Sequence, residues 1–228
     1  MKAKRGKSML EFNIIKTDGS DSDIDFYNKT YQMWKEVWTE TYNQLEGVTS
    51  ISSDQFLLNQ YCGVISFEGE PIACWLMSFF DGSLQPFYDR SYLVQYPSNI
   101  VKDEIQRLSA KNICLYNNIT VSRNSRRQNN QLPCSIAWLQ FSLAIKFYEY
   151  CQADVLFGYC RNEKKVNSMA SCHGAIRLET SVRHNVEVDY MSIPIENVKY
   201  DVSWDVKSNA VKLFENYLTK DQTLKKVA

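Results

Sequence analysis

Glycine pairs, histidines and closely spaced cysteines are scarce in this chain of 228 residues, and each absence excludes a class of site. The eight glycines include no G-x-G pair and no two with the spacing of a P-loop, which excludes the standard nucleotide and dinucleotide fingerprints. Only two histidines occur, and none of the seven cysteines forms a C-x-x-C pair. The sequence therefore predicts no bound metal: neither a histidine-rich metal centre nor a zinc ribbon fits this composition.

Long apolar runs are also lacking. The first apolar run, residues 10–15, contains Glu11 and Asn13 and is too short and polar for a signal sequence. No run approaches the roughly 20 apolar residues that a membrane helix needs. An odd number of scattered cysteines, with Cys74 inside an apolar run, is typical of reduced thiols. We therefore expect a cytoplasmic protein without a membrane span.

Negative charge is missing from the middle of the chain. Overall, 26 basic and 26 acidic residues cancel, which argues against a general nucleic-acid-binding protein. Between Glu104 and Glu149, however, there is no acidic residue, whereas six basic residues occur there. Core strands and helices also contain few acids, so the informative part is the cluster of Arg123, Arg126 and Arg127. This cluster predicts an anion-binding surface.

Apolar periodicity predicts alternating strands and helices. Hydrophobic residues make up 44% of the chain, enough for a packed domain. We expect strands at 10–15, 62–67, 72–80, 112–121, 154–160, 175–180 and 186–193, and helices at about 25–45, 132–151, 164–172 and 205–218. Because no linker or repeat interrupts this order, the sequence predicts one α/β (α+β) domain over 1–228, with a mixed central sheet flanked by helices and an insertion at about 81–111.

The stretch from 119 to 131 reads ITVSRNSRRQNNQ, a hydrophobic strand that ends at Val121 and is followed five residues later by Arg126. This spacing, and the element order over nearly the whole chain, resembles the GNAT acyltransferase superfamily. The resemblance implies that the loop before the next helix binds donor phosphate through backbone amides at a positive helix end. The donor-binding residues that it implies are Ile119, Val121, Arg123, Arg126, Arg127, Gln128, Asn129, Asn130 and Gln131.

Two glycines of the family's loop are replaced here, by Asn129 and Gln131. We therefore expect the arginine side chains to supply phosphate contacts. This pattern, with the insertion before the central strand, is similar to the N-acyl amino acid synthase and acyl-homoserine-lactone synthase branch. The resemblance implies an acyl thioester donor, acyl-CoA or acyl carrier protein, as co-substrate, no permanently bound cofactor, and a small amine, for example an amino acid, as acceptor.

A second region of resemblance runs from 158 to 175. Asn162 lies within one residue of a family Asn and is expected to help bind the donor, but Ala170 stands where the family often has a Tyr that protonates the thiolate. Asn117 or Asn118 occupies a position that is often a carboxylate, and an amide cannot accept a proton at neutral pH. His173 is then the expected base, with water or a purely structural histidine at a helix end as alternatives.

The sequence also bears on the acyl-chain pocket and on two alternative classes of function. Aromatic residues on the first long helix, Trp34, Trp38 and Tyr42, suit either an acyl-chain pocket or the core. Two other classes of function stay open. One is a non-catalytic domain of this fold that binds a ligand or partner, which the missing acid and base residues would suit; the other is an RNA-binding protein, against which the zero net charge argues.

Overall fold

Seven strands form one mixed sheet in the computed structural model, which describes residues 10–20, 22–90, 93, 96, 99–127 and 132–220. In chain order they are β1 (Leu10–Lys16), β2 (Tyr61–Phe67), β3 (Glu70–Asp81), β4 (Asn112–Val121), β5 (Val155–Arg161), β6 (Ile176–Arg183) and β7 (Val186–Pro194). Their order across the sheet is β1-β2-β3-β4-β5-β7-β6. Neighbouring strands are antiparallel except for the central pair, β4 and β5, which is parallel.

Helices cover both faces of this sheet. The helices on one face are α1 (Ile24–Glu46), α2 (Asp54–Leu57), α3 (Gln85–Tyr88) and α4 (Ile100–Leu108). A short helix, α5 (Arg123–Arg127), follows β4 directly, and the helices on the other face are α6 (Ile136–Tyr150), α7 (Val166–Cys172) and α8 (Trp204–Lys220). Within the described ranges, no helix is both long enough and apolar enough to cross a bilayer.

Helix α1 carries several residues of the site described below, and local sequence signals fix both of its ends. The Asp23 side chain accepts a hydrogen bond from the Phe26 backbone N–H at 2.9 Å and caps the first turn. Gly47, with a φ of 71°, ends the helix in the left-handed conformation that glycine adopts without strain. As a result, Tyr42 and Glu46 stand on the last turns of α1, close to the centre of the sheet.

Buried aromatic clusters hold the central strands between the helical layers. Trp75 and Phe141 belong to the cluster under α6, and Trp34 and Phe56 belong to the cluster under α1. Fully burying a large apolar side chain contributes about 1.5–3 kcal/mol to stability. Because β3 and β4 are packed on both faces, the centre of the sheet is held rigidly in place.

The predicted mixed α/β sheet flanked by helices is confirmed. Helix α6 begins at Ile136 rather than at Leu132, because Ser135 occupies the N-cap and its carbonyl accepts the first helical bond, from Leu139 at 2.9 Å. The insertion at 81–111 contains α3 and α4. The C-terminal helix α8 includes the predicted range 205–218. A single domain over 1–228 stays a prediction, since residues 1–9 and 221–228 lie outside the described residues.

Candidate functional site

The central feature of the sheet is a gap between its two parallel strands. Strands β4 and β5 pair only where residues 113–115 face residues 155–157. Beyond this point β4 continues to pair with β3, and β5 with β7, but not with each other. Gly158 lies where the strands part, and a Cβ atom there would lie 3.2 Å from the Tyr116 carbonyl oxygen. Residues 119–121 therefore lie apart from β5.

A β-bulge in β4 accompanies this divergence. Between the pairs Leu76–Asn117 and Cys74–Thr120, a single residue of β3 faces two residues of β4. Asn118 takes a φ of 53°, in the left-handed region that asparagine tolerates better than most residues. A bulge bends its strand and increases the local twist. Here it lies in the half of β4 that does not pair with β5, beside the gap.

Side-chain hydrogen bonds tie this bulge to helix α1. The Thr120 hydroxyl donates to the Asn118 carbonyl at 2.8 Å and accepts from the Trp38 indole N–H at 3.0 Å. The Asn117 amide donates to the Asn59 side-chain oxygen at 2.9 Å, but the Asn117 Oδ1 is buried without a partner among the described residues. The bulge therefore presents a buried hydrogen-bond acceptor at the gap.

A cavity of about 380 Å³ passes through the gap and is called the through-sheet cleft here. On the α6 face its lining includes Phe141 and Ala170, and on the α1 face it includes Trp38 and His184. Ala170 brings no hydroxyl to this wall. Apolar side chains from α1 and β7 contribute further to the lining: Val37, Leu45, Val186 and Val188. The cleft thus has a largely apolar wall and openings toward both helical layers.

A second cavity, of about 510 Å³, lies on the α1 face and is called the lateral pocket here. Helix α2 and the loop before it form one wall, and Arg90 and Phe80 form part of another. The two cavities share six lining residues, namely Tyr42, Asn117, Asn118, Tyr159, Arg183 and His184. A molecule in the cleft and a molecule in the lateral pocket would therefore meet at these residues.

The hairpin turn between β6 and β7 brings a histidine to this junction. His184 and Asn185 form the two-residue turn, with φ values of 50° and 60°, as a type I′ turn requires. His184 Nδ1 lies 2.6 Å from Glu46 Oε1 at the end of α1. Arg183 Nε donates to His184 Nε2 at 3.2 Å. Since an arginine only donates, Nε2 is the unprotonated nitrogen, and the Nδ1 proton is donated to Glu46.

Two arginines give the lateral pocket a positive charge. The Arg183 guanidinium lies 4.2 Å from the centre of the Tyr159 ring, and its Nη1 is buried with no hydrogen-bond partner among the described residues. Arg90 lies 4.3 Å from the centre of the Phe80 ring, and burial lowers the pKa of Arg90. Neither has a carboxylate within ion-pair distance in the described part of the chain, where Glu46 is the one acid that lines this pocket.

The residues expected to bind the donor divide into those near the cleft and those elsewhere. Ile119, Val121 and Arg126 line the cleft, and Arg126 Nε donates to the Val121 carbonyl at 2.9 Å. Arg123 does not line it; it is exposed and forms an ion pair with Glu40. Outside the described residues lie the side chain of Arg127 and the whole of Gln128, Asn129, Asn130 and Gln131.

Asn162 supports the far end of the sheet instead of lining the cleft. Its amide donates to Glu187 Oε1 at 2.6 Å and to Asp189 Oδ1 at 3.2 Å. Burial raises the pKa of Asp189, but hydrogen bonds from Thr180, Asn167 and Asn162 outweigh this effect and hold the pKa below its ordinary value. Asn162 therefore stabilises a buried carboxylate between β5 and β7, and its position argues against direct contact with a donor.

His173 lies in the core between α6 and α7. Its exposed fraction is 0%, its Nδ1 lies 2.8 Å from the Met169 carbonyl, and its Nε2 lies 2.8 Å from the Ser142 hydroxyl. Burial lowers the pKa of His173, although the backbone hydrogen bond opposes this effect. A neutral, enclosed imidazole with both nitrogens bonded cannot reach an amine in the cleft. This position argues against the predicted base and favours the structural alternative.

The sequence interpretation overlooked the groups at the junction. Glu46 and His184 are 138 residues apart, so no local spacing connects them. A partial signal was present, since His184-Asn185 between two predicted strands matches a type I′ turn. Among the aromatic residues expected to line an acyl pocket, Trp38 and Tyr42 line the cleft, whereas Trp34 is fully buried in the core.

Known proteins resemble this chain in structure but not measurably in sequence. No protein-family model and no curated protein matches the sequence. The structure is similar to a CoA-dependent acyl-homoserine lactone synthase, BjaI, with SAM and isopentyl-CoA (9% identity, TM-score 0.56, covering 90% of this chain and 100% of BjaI). It is also similar to FeeM, an N-acyl amino acid synthase from uncultured soil microbes (8% identity, TM-score 0.53, covering 83% and 92%).

A third neighbour comes from an animal. Mosquito arylalkylamine N-acetyltransferase like 5b has 6% identity and a TM-score of 0.59, and the alignment covers 82% of this chain and 100% of that protein. At such low identities the likeness concerns the fold. The candidate site therefore rests on the geometry given above. The chain has a GNAT-like fold.

Proposed function

We propose that the protein is an N-acyltransferase that moves an acyl group from a thioester donor to an amine. The observation that carries this proposal is the gap between β4 and β5, which opens on one side to Arg126 and on the other to the lateral pocket. Two reactants that enter from opposite sides would meet at the bulge. Structural neighbours described as an acyl-homoserine lactone synthase, an N-acyl amino acid synthase and an N-acetyltransferase support an acyl transfer.

The donor in this proposal carries a phosphopantetheine arm, which acyl-CoA and acyl carrier protein share. The arm would lie along Ile119 and Val121 in the cleft, with its phosphate near Arg126. Arginine binds phosphate through paired donors, and the acid-free middle of the chain adds positive charge. Arg127 and the loop at 128–131 would complete the phosphate contacts. The donor is a co-substrate, so no permanently bound cofactor is needed.

The acyl chain would occupy the apolar part of the cleft. Trp38 and Val188, from opposite walls, form part of this surface, and burying apolar surface is favourable at about 25 cal/mol per Å². Each methylene of a longer acyl chain would therefore add binding energy as long as the wall continues. This lining favours an acyl group of several carbons over an acetyl group.

The acceptor in this proposal is a small amine that also bears an acid group, as an amino acid does. Arg90 and Arg183 are partly buried and line the lateral pocket without carboxylate partners among the described residues, although Arg90 donates to the Leu58 carbonyl at 3.0 Å. An acceptor carboxylate would pair with them. The buried Asn117 Oδ1 would accept a hydrogen bond from the amine and hold it beside the thioester. Positioning of this kind supplies a large part of the rate enhancement in bimolecular reactions.

A cytoplasmic location belongs to the same proposal. All seven cysteines carry free thiols in the structure, and a reducing compartment preserves such thiols. Activated acyl donors and amino acids both occur in that compartment.

The test is product formation. Purified protein is incubated with acetyl-, octanoyl- and palmitoyl-CoA, and with the corresponding acyl carrier proteins, against a panel of amino acids and simple amines. We expect release of free thiol together with an N-acyl product detected by mass spectrometry. A second candidate, a non-catalytic ligand-binding protein, is favoured by Ala170, which leaves that wall of the cleft without a hydroxyl. Donor binding without any product would support this second candidate and overturn the first.

A further inference from the structure

At the junction of the two cavities, His184 and Glu46 have the arrangement of a base with a supporting carboxylate. We propose, in extension of the function above, that His184 accepts the proton of the acceptor amine, that Glu46 positions its ring, and that Arg183 covers it until an acidic acceptor binds. Arg183 is the last residue of β6, His184 lies in the β6–β7 turn, and Glu46 is the last residue of α1.

The hydrogen bonds fix the tautomer that this role requires. Arg183 Nε–H points at His184 Nε2, which must therefore carry the lone pair. The proton is then on Nδ1, 2.6 Å from the Glu46 carboxylate. A carboxylate in this position orients the ring and stabilises the imidazolium that forms when Nε2 takes a proton.

The location also suits the role. His184 lines both the through-sheet cleft and the lateral pocket, together with Asn117 and Asn118 of the bulge. An amine held by the Asn117 Oδ1 and a thioester carbonyl entering through the gap would both be within this group of shared residues. His173, by contrast, lines neither cavity.

In the free protein the Nε2 lone pair is occupied by Arg183. The same guanidinium has a buried Nη1 without a hydrogen-bond partner among the described residues, so its present position leaves it incompletely satisfied. A carboxylate in the lateral pocket would offer Arg183 a charge-assisted, two-oxygen partner, which is stronger than its bond to a neutral imidazole. Binding of the acceptor would therefore draw Arg183 away and expose Nε2.

The chemical step then balances without any further reactant. The amine nitrogen attacks the thioester carbonyl carbon and forms the C–N bond, while His184 Nε2 takes one proton from that nitrogen. The tetrahedral intermediate collapses, the C–S bond breaks, and the sulfur leaves as a thiolate. The imidazolium returns its proton to the thiolate, so the products are an amide and a free thiol, and His184 is neutral again.

Several charged or titratable groups surround His184 and shape its pH response. Tyr42 and Glu46 face it from α1, Tyr159 shares the junction from β5, and Arg183 adjoins it on β6. Arg90 lines the same pocket, and Glu179 and Tyr190 line a smaller cavity on its outer side. Protonation of Nε2 at low pH removes the base. We therefore expect the rate to fall on the acid side of its pH profile.

The first test replaces the base without disturbing its turn. His184→Asn retains a residue that tolerates a positive φ, so the hairpin should form. We expect kcat to fall by about 100-fold or more, as for loss of a general base. The acid limb of the pH profile should disappear, and KM for the donor should change little. The matched control is Asn185→Gly in the same turn, which should leave both kcat and the profile unchanged.

The second test separates positioning from structure. Glu46→Gln keeps a hydrogen-bond acceptor for Nδ1–H but removes the negative charge, so we expect an intermediate loss of kcat, about 10-fold, and an acid limb moved to lower pH. Glu46→Asp, which restores the charge, should recover part of the rate. A Glu46→Gln protein with an unchanged pH profile would show that the carboxylate does not act on the base.

The third test concerns the cover. An amino acid that is turned over is compared with the amine that lacks only its carboxylate. Wild-type protein should use the second amine with a kcat at least 10-fold lower, and Arg183→Gln should reduce this difference because Nε2 is no longer covered. Equal kcat values for the two amines in wild-type protein would overturn the role of Arg183.

These outcomes separate the two proposals. If wild-type protein acylates an amine and His184→Asn does so at a similar rate with the same pH profile, His184 is not the base, although the protein is still an acyltransferase. If wild-type protein forms no amide from any donor and amine of the panel, both proposals fail together.

Discussion

The two histidines of this chain occupy opposite kinds of surroundings, and the difference shows where chemistry is feasible in this fold. His173 is enclosed between α6 and α7, and hydrogen bonds to Ser142 and Met169 hold both its nitrogens. His184 stands at the junction of two cavities with a carboxylate on one nitrogen and an arginine on the other. His173 is therefore part of the core, whereas His184 lines two cavities that a ligand can enter.

The largest expected effect tests the packed environment. His173→Ala should lower the free energy of unfolding by about 2–4 kcal/mol, because it leaves a cavity and removes the partner of the buried Ser142 hydroxyl. Chemical denaturation measures this loss. The activity per folded molecule should stay within about twofold of wild type, because His173 lines neither cavity. A variant with full stability but greatly reduced activity would reverse the assignment of the two histidines.

The second prediction concerns the gap between β4 and β5, which a larger side chain should fill. Gly158→Val places a branched side chain where a Cβ alone would lie 3.2 Å from the Tyr116 carbonyl oxygen. We expect donor affinity to fall by about 100-fold, or 2.7 kcal/mol, because the side chain occupies the gap. Isothermal titration with a non-hydrolysable acyl-CoA measures this. Unchanged affinity would mean that the donor does not enter between β4 and β5.

The fold could largely be predicted from the sequence, but the junction of the two cavities could not. Apolar periodicity was sufficient for the sheet and the flanking helices, because each element buries a regular stripe of side chains. The junction could not be predicted in this way. It depends on a contact between Glu46 and His184 across 138 residues and on the exact bulge at Asn118, which are results of tertiary packing.

The sequence suggests His173 as the base, one residue before the glycine that follows α7, with a structural histidine as the alternative. The rings of Trp138, Phe141 and Tyr200 surround it, which favours the structural alternative. Helix ends in this chain are exposed or buried according to what packs over them, and single-sequence patterns do not contain that information. Asn162 is hydrogen-bonded to Glu187 and Asp189 on β7, 25 and 27 residues further along the chain, and no local pattern indicates these contacts.

The third prediction concerns the outer mouth of the cleft. Replacing Arg126 and Arg127 together by Ala should weaken donor binding by about 10-fold, since each lost phosphate contact is charge-assisted, while the free energy of unfolding should change by less than about 0.5 kcal/mol. The matched control is Arg123→Ala, which removes an arginine that is paired with Glu40 and does not line the cleft. If the control weakens binding as much as the double variant, general charge rather than a site explains the effect.

The smallest expected effect is a pH dependence of stability. Burial lowers the pKa of His173 below its ordinary value of 6.5, so the unfolded chain binds a proton more readily than the folded protein does. Stability from this group is complete above about pH 6.5 and decreases as the pH falls toward 5. His173→Ala should lack this decrease. Denaturation curves for both proteins at pH 7 and pH 5 give the difference, and parallel losses in the two proteins would contradict it.

The most direct test of the central claim, that donor and acceptor meet at the junction of two cavities, is the affinity of a joined ligand. An acetyl bridge links the sulfur of 4′-phosphopantetheine to the nitrogen of an amino acid, and binding is measured by calorimetry. We expect this conjugate to bind at least 100-fold more tightly than 4′-phosphopantetheine or the amino acid alone, because the second contact becomes intramolecular. Gly158→Val and Arg183→Gln should each reduce that gain. A conjugate that binds no better than 4′-phosphopantetheine alone would contradict the account.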